Sequence, residues 1–411
     1  MYLGGNCMFK VIGKIEKAWN EFQEKQKIRA MEREVIELVE KAFHTAQMFL
    51  IMKNEHLQTY VYPSILNVRF FDTHVEIVGR IPRGMNPKIF HQNEYIFQQY
   101  LHENIKIHTN VSKFTISIFP DRMDTVNYDY ESFPIQNMKM PVVAGKNRFN
   151  EWVTFSLIEN PNVLIAGVPG SGKSVMDRQI LTTLMLHHKP SDLEIHLVDL
   201  KGSEFHIFQN CEHVKSMSVT AKEFSPIMRK LRKELERRGK VLRENGVAHI
   251  DKLPKGKRMN YIVLMIDEIL LLSNGTSEAK ETRELLLEWA ALGRALGCFT
   301  IVSLQRPCSK SLDTAFRGIL NVRIVFKTED ATNSQIAGVE GAENISRDEA
   351  GRMIFKIDKN DMQDIQAPFL DVQPAKKLVK PFIKEKVIQE EREEDNEIFG
   401  LLDKEDIHEQ A

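Results

Sequence analysis

Gly167-Val168-Pro169-Gly170-Ser171-Gly172-Lys173-Ser174 follows directly on the largely apolar run Asn162-Val163-Leu164-Ile165-Ala166. The order G-x-x-x-x-G-K-[ST] between an apolar run and the helically spaced stretch Val175 to Leu186 predicts a phosphate-binding loop between a buried strand and an amphipathic helix. Glycines there let successive backbone N–H groups turn inward and cradle phosphate oxygens at a helix N-terminus. All eight residues, Gly167, Val168, Pro169, Gly170, Ser171, Gly172, Lys173 and Ser174, are expected at the phosphates. Lys173 would reach the β and γ phosphates, and the Ser174 hydroxyl would ligate Mg²⁺. The expected ligand is ATP with Mg²⁺.

Tyr261-Ile262-Val263-Leu264-Met265-Ile266-Asp267-Glu268 is a second apolar strand, ending in two carboxylates. An unpaired buried charge is expensive, so paired acids at such a strand end point to a cation. Asp267 is expected as the second Mg²⁺ partner and Glu268 as the base that polarises the attacking water. A solvated strand end is the plainer alternative. Leu304-Gln305-Arg306-Pro307 closes a further strand, where the Gln305 amide could sense the γ-phosphate. Arg294, before that strand, and Arg323, beginning the next, are both candidates for an arginine finger across a subunit boundary. For each, an ordinary cation at a helix end or on the surface is the favoured reading on the residues alone. Lys230 to Arg243 and Lys255 to Arg258 are basic, and Glu–Arg pairing on a solvated helix face accounts for the first better than phosphate-backbone binding does.

The chain has 411 residues and a formal net charge of −1, a length for two or three domains at roughly 150 residues each. No global basicity advertises nucleic acid. The acidic residues beyond Lys384 (Glu390, Glu391, Glu393, Glu394, Asp395, Glu397) read as a solvated tail. Cys7, Cys211, Cys298 and Cys308 show no C-x-x-C pairing and no metal-ligand spacing, as expected of idle thiols in a reducing compartment. No signal peptide is expected, and the longest apolar stretches are too short to span a bilayer. A cytoplasmic protein is expected, reaching a membrane only through a partner.

From about Lys14 to Met52 the composition predicts a long helix. Ile65 to Phe71, Thr73 to Ile81 and Lys113 to Phe119 read as strands, and Pro87 to Leu101 as helix. From Pro141 to about Phe369 strands and helices alternate, with strands expected at Val163 to Gly167, Glu194 to Val198, Tyr261 to Ile266, Phe299 to Leu304, Val322 to Phe326 and Arg352 to Phe355. That alternation predicts an α/β fold with a mostly parallel sheet and helices on both faces. The expected divisions are 1–52 (N-terminal helical segment), 53–135 (small α+β domain), 136–375 (P-loop NTPase motor domain) and 376–411 (helical, acidic tail).

Five stretches in order resemble the FtsK/SpoIIIE family of hexameric DNA-pumping ATPases. They are Pro141 to Lys146 leading to Pro161 through Gly167, Leu197-Val198-Asp199-Leu200-Lys201-Gly202-Ser203-Glu204, Glu236-Arg237-Arg238 with Glu244 to Val247, Ile266-Asp267-Glu268, and Gly293-Arg294-Ala295-Leu296-Gly297 through Ser303-Leu304-Gln305-Arg306-Pro307. The resemblance covers about residues 140 to 370. It implies a RecA-like motor domain in a ring around double-stranded DNA, with ATP between subunits. It also implies Arg294 as the finger and Gln305 as nucleotide sensor, with Lys173 and Glu268 as catalytic residues. Leu200 stands where the family carries Pro. No membrane-spanning N-terminus and no winged-helix module are recognisable, a form resembling the coupling or transfer ATPases of plasmids, conjugative elements and phages. A relaxase or membrane secretion channel would then be a partner. The rival expectations are an ATPase driving protein export and an ATP-switched assembly protein without translocation.

Overall fold

The computed structural model describes residues 26–384, apart from 55–56, 121, 273–275 and 313. Two compact units divide the chain, Met1–Arg122 and Met123–Ala411. The expected helix before residue 26, Cys7 and the acidic stretch beyond Lys384 lie outside the described residues.

In the N-terminal unit a helix covers 26–45. Val39, Ala42 and Phe43 fall on one face by their i, i+3, i+4 spacing and are buried with Ile77, Phe90, Phe97 and Phe114. The Phe43 ring meets those three phenylalanines edge-on at 5.6–6.0 Å. The helix stops short of the expected Met52. Gln47 takes a left-handed φ of 50°, Gln47 N–H donates to His44 O at 3.1 Å and Met48 N–H to Phe43 O at 3.0 Å. This is the Schellman ending, with Gln in the place usually held by Gly. Strands Leu50–Asn54 and Leu57–Val61 then pair antiparallel. A separate four-stranded antiparallel sheet follows in the order Ser64–Phe70, Val75–Arg80, Lys113–Ile118, Ile105–Thr109. The expected helix at 87–101 is two, Lys88–Gln92 and Glu94–Tyr100, parted at Asn93, whose side-chain amide donates to Ile89 O at 2.9 Å.

The divisions therefore differ from those expected. The N-terminal helix is part of the core of the α+β unit, not a segment of its own. Residues 123–135 belong with the C-terminal unit, because Phe133 and Ile135 are buried against Val143 and Val126–Asn127 pairs with Pro368–Phe369. The helix Val372–Val379 runs through the expected boundary at 375, with Ala375 and Val379 buried.

The C-terminal unit is built on a ten-stranded sheet. Its order is Val214–Ser218, Leu193–Asp199, Tyr261–Asp267, Cys298–Leu304, Asn162–Ala166, Val322–Phe326, Arg352–Ile357, Gln363–Gln366, Pro141–Asn147, Trp152–Ser156. Neighbours pair parallel as far as Val322–Phe326 and antiparallel beyond it. Val214–Ser218, Pro141–Asn147, Trp152–Ser156 and Gln363–Gln366 were not anticipated, since none alternates apolar and polar residues throughout. Every residue of Asn162–Ala166 and Cys298–Leu304 is buried, as parallel strands covered on both faces must be. One face packs against the helix Lys173–His187 through Ile180, Leu181 and Leu184. The other packs against Ala221–Glu244 and Ser277–Leu292 through Leu235, Leu286 and Trp289. The Lys173–His187 helix is not the amphipathic element expected: ten of its residues are buried. Its polar positions find partners, as where Thr183 Oγ1 meets Tyr128 Oη at 3.0 Å. Among the described residues no helix is long and apolar enough to cross a membrane.

Candidate nucleotide site

Parallel register is what assembles the site. Ala166 lies opposite Leu304, and Asp267 opposite Ser303, so three strands end at one edge and deliver Gly167, Asp267–Glu268 and Gln305 side by side. Ligands of open α/β sheets bind at this carboxyl edge.

The loop between Ala166 and Lys173 is pinned by its own backbone. Gly167 N–H donates to Leu304 O at 3.2 Å, Val168 N–H to Lys327 O at 2.9 Å, and Gly351 N–H to Ser171 O at 2.8 Å. Gly172 caps the helix at φ 117°, and a Cβ on it would come within 3.0 Å of Gly351. Both the dihedral and the close approach demand glycine. The helix N-terminus behind it favours an anion.

Lys173 is 4 % exposed. Its Nζ lies 2.5 Å from Asp267 Oδ1 and 3.5 Å from Asp177 Oδ2. Burial pulls the ammonium toward neutrality, but Asp177 and Asp267 outweigh it and raise the pKa, so Lys173 stays charged. Burial pushes Asp177 up to about 7 against the pull of Lys173, and its Oδ1 accepts from Ser303 Oγ at 2.6 Å. Burial also raises Asp267, again opposed by Lys173. Asp267 Oδ2 is buried and accepts no hydrogen bond. Such an orphaned acceptor suits a hard cation, and Lys173, which Asp267 holds, lines a cavity together with Ser174. Among the described residues no cluster of three or more His, Cys, Asp or Glu could hold a metal. A Mg²⁺ here would therefore draw most of its oxygens from phosphates and water, as that ion usually does.

Glu268 is 5 % exposed and sits at φ 59°, a left-handed conformation that costs a non-glycine residue on the order of 1–3 kcal/mol and gathers at functional sites. Its backbone N–H donates to Ser303 O at 2.9 Å. Its Oε2 accepts from Lys201 Nζ at 2.8 Å and from Gln305 N–H at 3.2 Å. Lys201 is delivered by a loop wound around the Asp199 carboxylate, which accepts from Gly202, Glu204 and Phe205 N–H at 2.8, 2.8 and 3.1 Å. Asp199 is thereby a loop anchor. Gln305, Lys173 and Ser174 share a cavity of about 260 Å³ with the phosphate loop, Gln366 and Phe369.

The two arginines lie elsewhere. Arg294 precedes the strand Cys298–Leu304, a strand's length of about 20 Å from the phosphate edge, whereas Arg323, opposite Leu164, is about 10 Å of strand from it. Arg294 opens the short turn Arg294–Leu296; it is exposed, with one long contact, Nε to Ile158 O at 3.4 Å. Arg323 is turned into the fold, donating to Arg317 O, and burial pulls it down to about 10. Of the two, Arg294 presents its charge outward.

The basic helix Ala221–Glu244 spends its charge on ion pairs: Arg229–Glu281 at 2.8 Å, Arg232–Glu288 at 2.5 Å and Arg237–Glu234 at 2.6 Å. Lys201, Asp177 and Ser303 were not singled out as site residues from sequence. Lys201 lay inside a quoted family stretch, but nothing local connects it to a carboxylate in another strand. Asp177, at i+4 from Lys173, was the findable one, since that spacing shares a helix face.

Comparison with known proteins agrees with this geometry. Residues 125–262 match the FtsK/SpoIIIE family. That segment resembles an FtsK/SpoIIIE-family domain. Over 259 residues it is 29 % identical to a DNA translocase FtsK of Chlorobaculum tepidum, covering 59 % of this chain and 32 % of that protein. Over 271 residues it is 27 % identical to DNA translocase SpoIIIE of Bacillus subtilis, covering 62 % and 34 %. The chain thus spans about a third of the length of these relatives. Among solved structures, the pCW3 conjugation coupling protein TcpA, determined with ATPγS, superposes with TM-score 0.59 at 22 % identity, over 84 % of this chain and 99 % of that one. The cytoplasmic domain of the type VII secretion ATPase EccC of Thermomonospora curvata superposes with TM-score 0.53 at 22 % identity, over 62 % and 33 %. Over the superposed residues the chain has the fold of these P-loop ATPases.

Proposed function

We propose that the chain is an ATP-driven double-stranded DNA translocase that works as a ring, a hexamer by analogy with its family, and delivers DNA during transfer of a mobile element. The observation that carries this reading is the distribution of charge over one sheet. Lys173, Asp267, Glu268 and Gln305 meet at the carboxyl edge, whereas the outward-facing Arg294 stands at the amino edge. Arg294 cannot reach its own phosphate loop, so as a finger it would serve a head-to-tail neighbour's, and repeated heterologous contacts of that kind can close into a ring.

The phosphate-loop N–H groups and Lys173 would hold the β and γ phosphates of ATP. Lys173 would exchange its Asp267 partner for phosphate. Ser174 and Asp267 would hold Mg²⁺, which supplies charge neutralisation at the phosphates. Glu268, once released by Lys201, would take a proton from the attacking water, and Gln305, bonded to the same carboxylate through its backbone, would report the γ-phosphate. The names of the sequence relatives favour DNA as cargo, and the likeness to TcpA over nearly its whole length favours conjugation. A relaxase or secretion channel would then receive it, and the motor itself would stay on the cytoplasmic side.

ATP turnover measured with duplex DNA, single strands or neither tests the reading, alongside mass-resolved assembly. Duplex is expected to stimulate turnover, and Lys173→Ala or Glu268→Gln to lower it by about 10²–10⁴-fold. Unstimulated turnover would point to a protein cargo instead, and wild-type rates in either variant would overturn the site.

A further inference from the structure

Asp177 is a buried acid at the nucleotide site to which phosphate, metal and attacking water give no task. It is 1 % exposed and lies one turn after Lys173 in the helix Lys173–His187, on the same face. Ser303 Oγ clamps its Oδ1 at 2.6 Å. Ser303 stands opposite Asp267 in the sheet, and its carbonyl accepts from Glu268 N–H. One strand residue thus fixes Asp177 on one side of the Lys173 ammonium, while the neighbouring strand sets Asp267 on the other.

The two seats are unequal. Lys173 Nζ lies 2.5 Å from Asp267 Oδ1 and 3.5 Å from Asp177 Oδ2, and that second oxygen accepts no hydrogen bond. A carboxylate buried for stability alone finds donors for both oxygens. The charges around Nζ do not balance either. Asp177, Asp267 and the partly exposed Glu204 all act on Lys173. The nearby cations are engaged elsewhere, Lys201 by Glu268 and Arg178 Nη1 by Leu370 O. A triphosphate entering this cradle meets surplus negative charge, and Lys173 must leave two carboxylates to reach it. Charges a few ångströms apart in a buried site are poorly screened. A divalent cation arriving with the phosphates offsets that surplus, and bare phosphate does not.

We propose that Asp177 is a positioning residue for Lys173 that makes nucleotide binding conditional on a divalent cation: by facing the ammonium from its second side, it keeps metal-free nucleotide out of the cradle. This rests on the nucleotide reading above. It assigns Asp177 an effect on affinity, with no contact to phosphate or metal.

Equilibrium titration of the full chain with ATP, once in excess Mg²⁺ and once in EDTA, provides the test. The measurement is made at pH 8.5, above the value of about 7 to which burial pushes Asp177. The readout is the ratio of the two dissociation constants, expected to be about 100-fold in the wild type. Asp177→Asn keeps the shape and an acceptor for Ser303 Oγ. It is expected to tighten ATP in EDTA and lower the ratio by about tenfold, and Asp177→Ala is expected to do the same. Glu204→Gln, whose carboxylate is partly solvated, is expected to lower it by less than about threefold. An unchanged ratio in Asp177→Asn would overturn the role. So would weaker ATP binding in EDTA, which is what losing a mere support for Lys173 would give. An equal shift in Glu204→Gln would overturn it too, by making net charge and not the place of Asp177 the cause. If the wild-type chain binds ATP under neither condition, the nucleotide reading fails and this role with it. A wild-type ratio in an Asp177→Asn chain that binds ATP overturns the Asp177 role alone.

Discussion

Two buried cations, Lys173 and Arg238, stand at opposite edges of the same sheet and are treated in opposite ways. Arg238 is fully buried, yet its guanidinium donates to Glu234, to the carbonyls of Asn260 and Leu296 and to the Asn260 amide oxygen, all at 2.8 Å. Those partners precede the strands Tyr261–Asp267 and Cys298–Leu304, so Arg238 ties their amino ends to the basic helix. Lys173 instead faces two carboxylates, Asp177 and Asp267, each with a buried oxygen that accepts no hydrogen bond. A satisfied buried cation is structure, whereas one left with surplus negative charge around it is poised for a ligand that carries phosphate and metal together.

The largest expected effect tests whether the two edges meet across subunits. Arg294→Ala should lower turnover by about 10³-fold or more while nucleotide affinity is retained. Mixing it with Glu268→Gln subunits should recover activity, since each supplies what the other lacks. Steady-state turnover of the mixture measures this, and no recovery would remove Arg294 from the neighbour's site. Next in size, Arg238→Met should cost about 1–3 kcal/mol of stability by denaturant titration for each buried acceptor it strands, the carbonyls of Asn260 and Leu296, while Glu234 keeps Arg237. Turnover per folded molecule should hold. If turnover fell and stability did not, the contrast between the two cations would be broken. Smallest, Lys201→Ala should raise turnover in the absence of DNA severalfold by freeing Glu268 Oε2. A fall would show that Lys201 positions the base instead of restraining it.

Legibility followed the range of the interactions. The glycine-rich loop between Asn162–Ala166 and Lys173–His187, the Asp267–Glu268 strand end and the six strands expected in the C-terminal unit could be read because each is specified within about ten residues. The helix end at Thr45 could not, since Gln47 occupies a left-handed position that Gly usually announces. The antiparallel strands Pro141–Asn147 and Gln363–Gln366 were missed for a related reason: they pair across more than two hundred residues, and nothing in either segment names its partner.

The sequence by itself determined that a glycine-rich loop joins a buried strand to a helix and which carboxylates end a neighbouring strand, because backbone dihedrals at Gly172 and burial of an apolar strand are local demands. Only the tertiary structure decided what those residues face. Parallel register set Gln305 N–H on Glu268, a loop wound on Asp199 brought Lys201 to the same oxygen, and a distant segment set Phe369 beside the phosphate loop. These contacts join residues 37 to 194 positions apart (Glu268 to Gln305, Val175 to Phe369). Such separations close only when a whole sheet forms, so their geometry belongs to the fold and not to any stretch of chain.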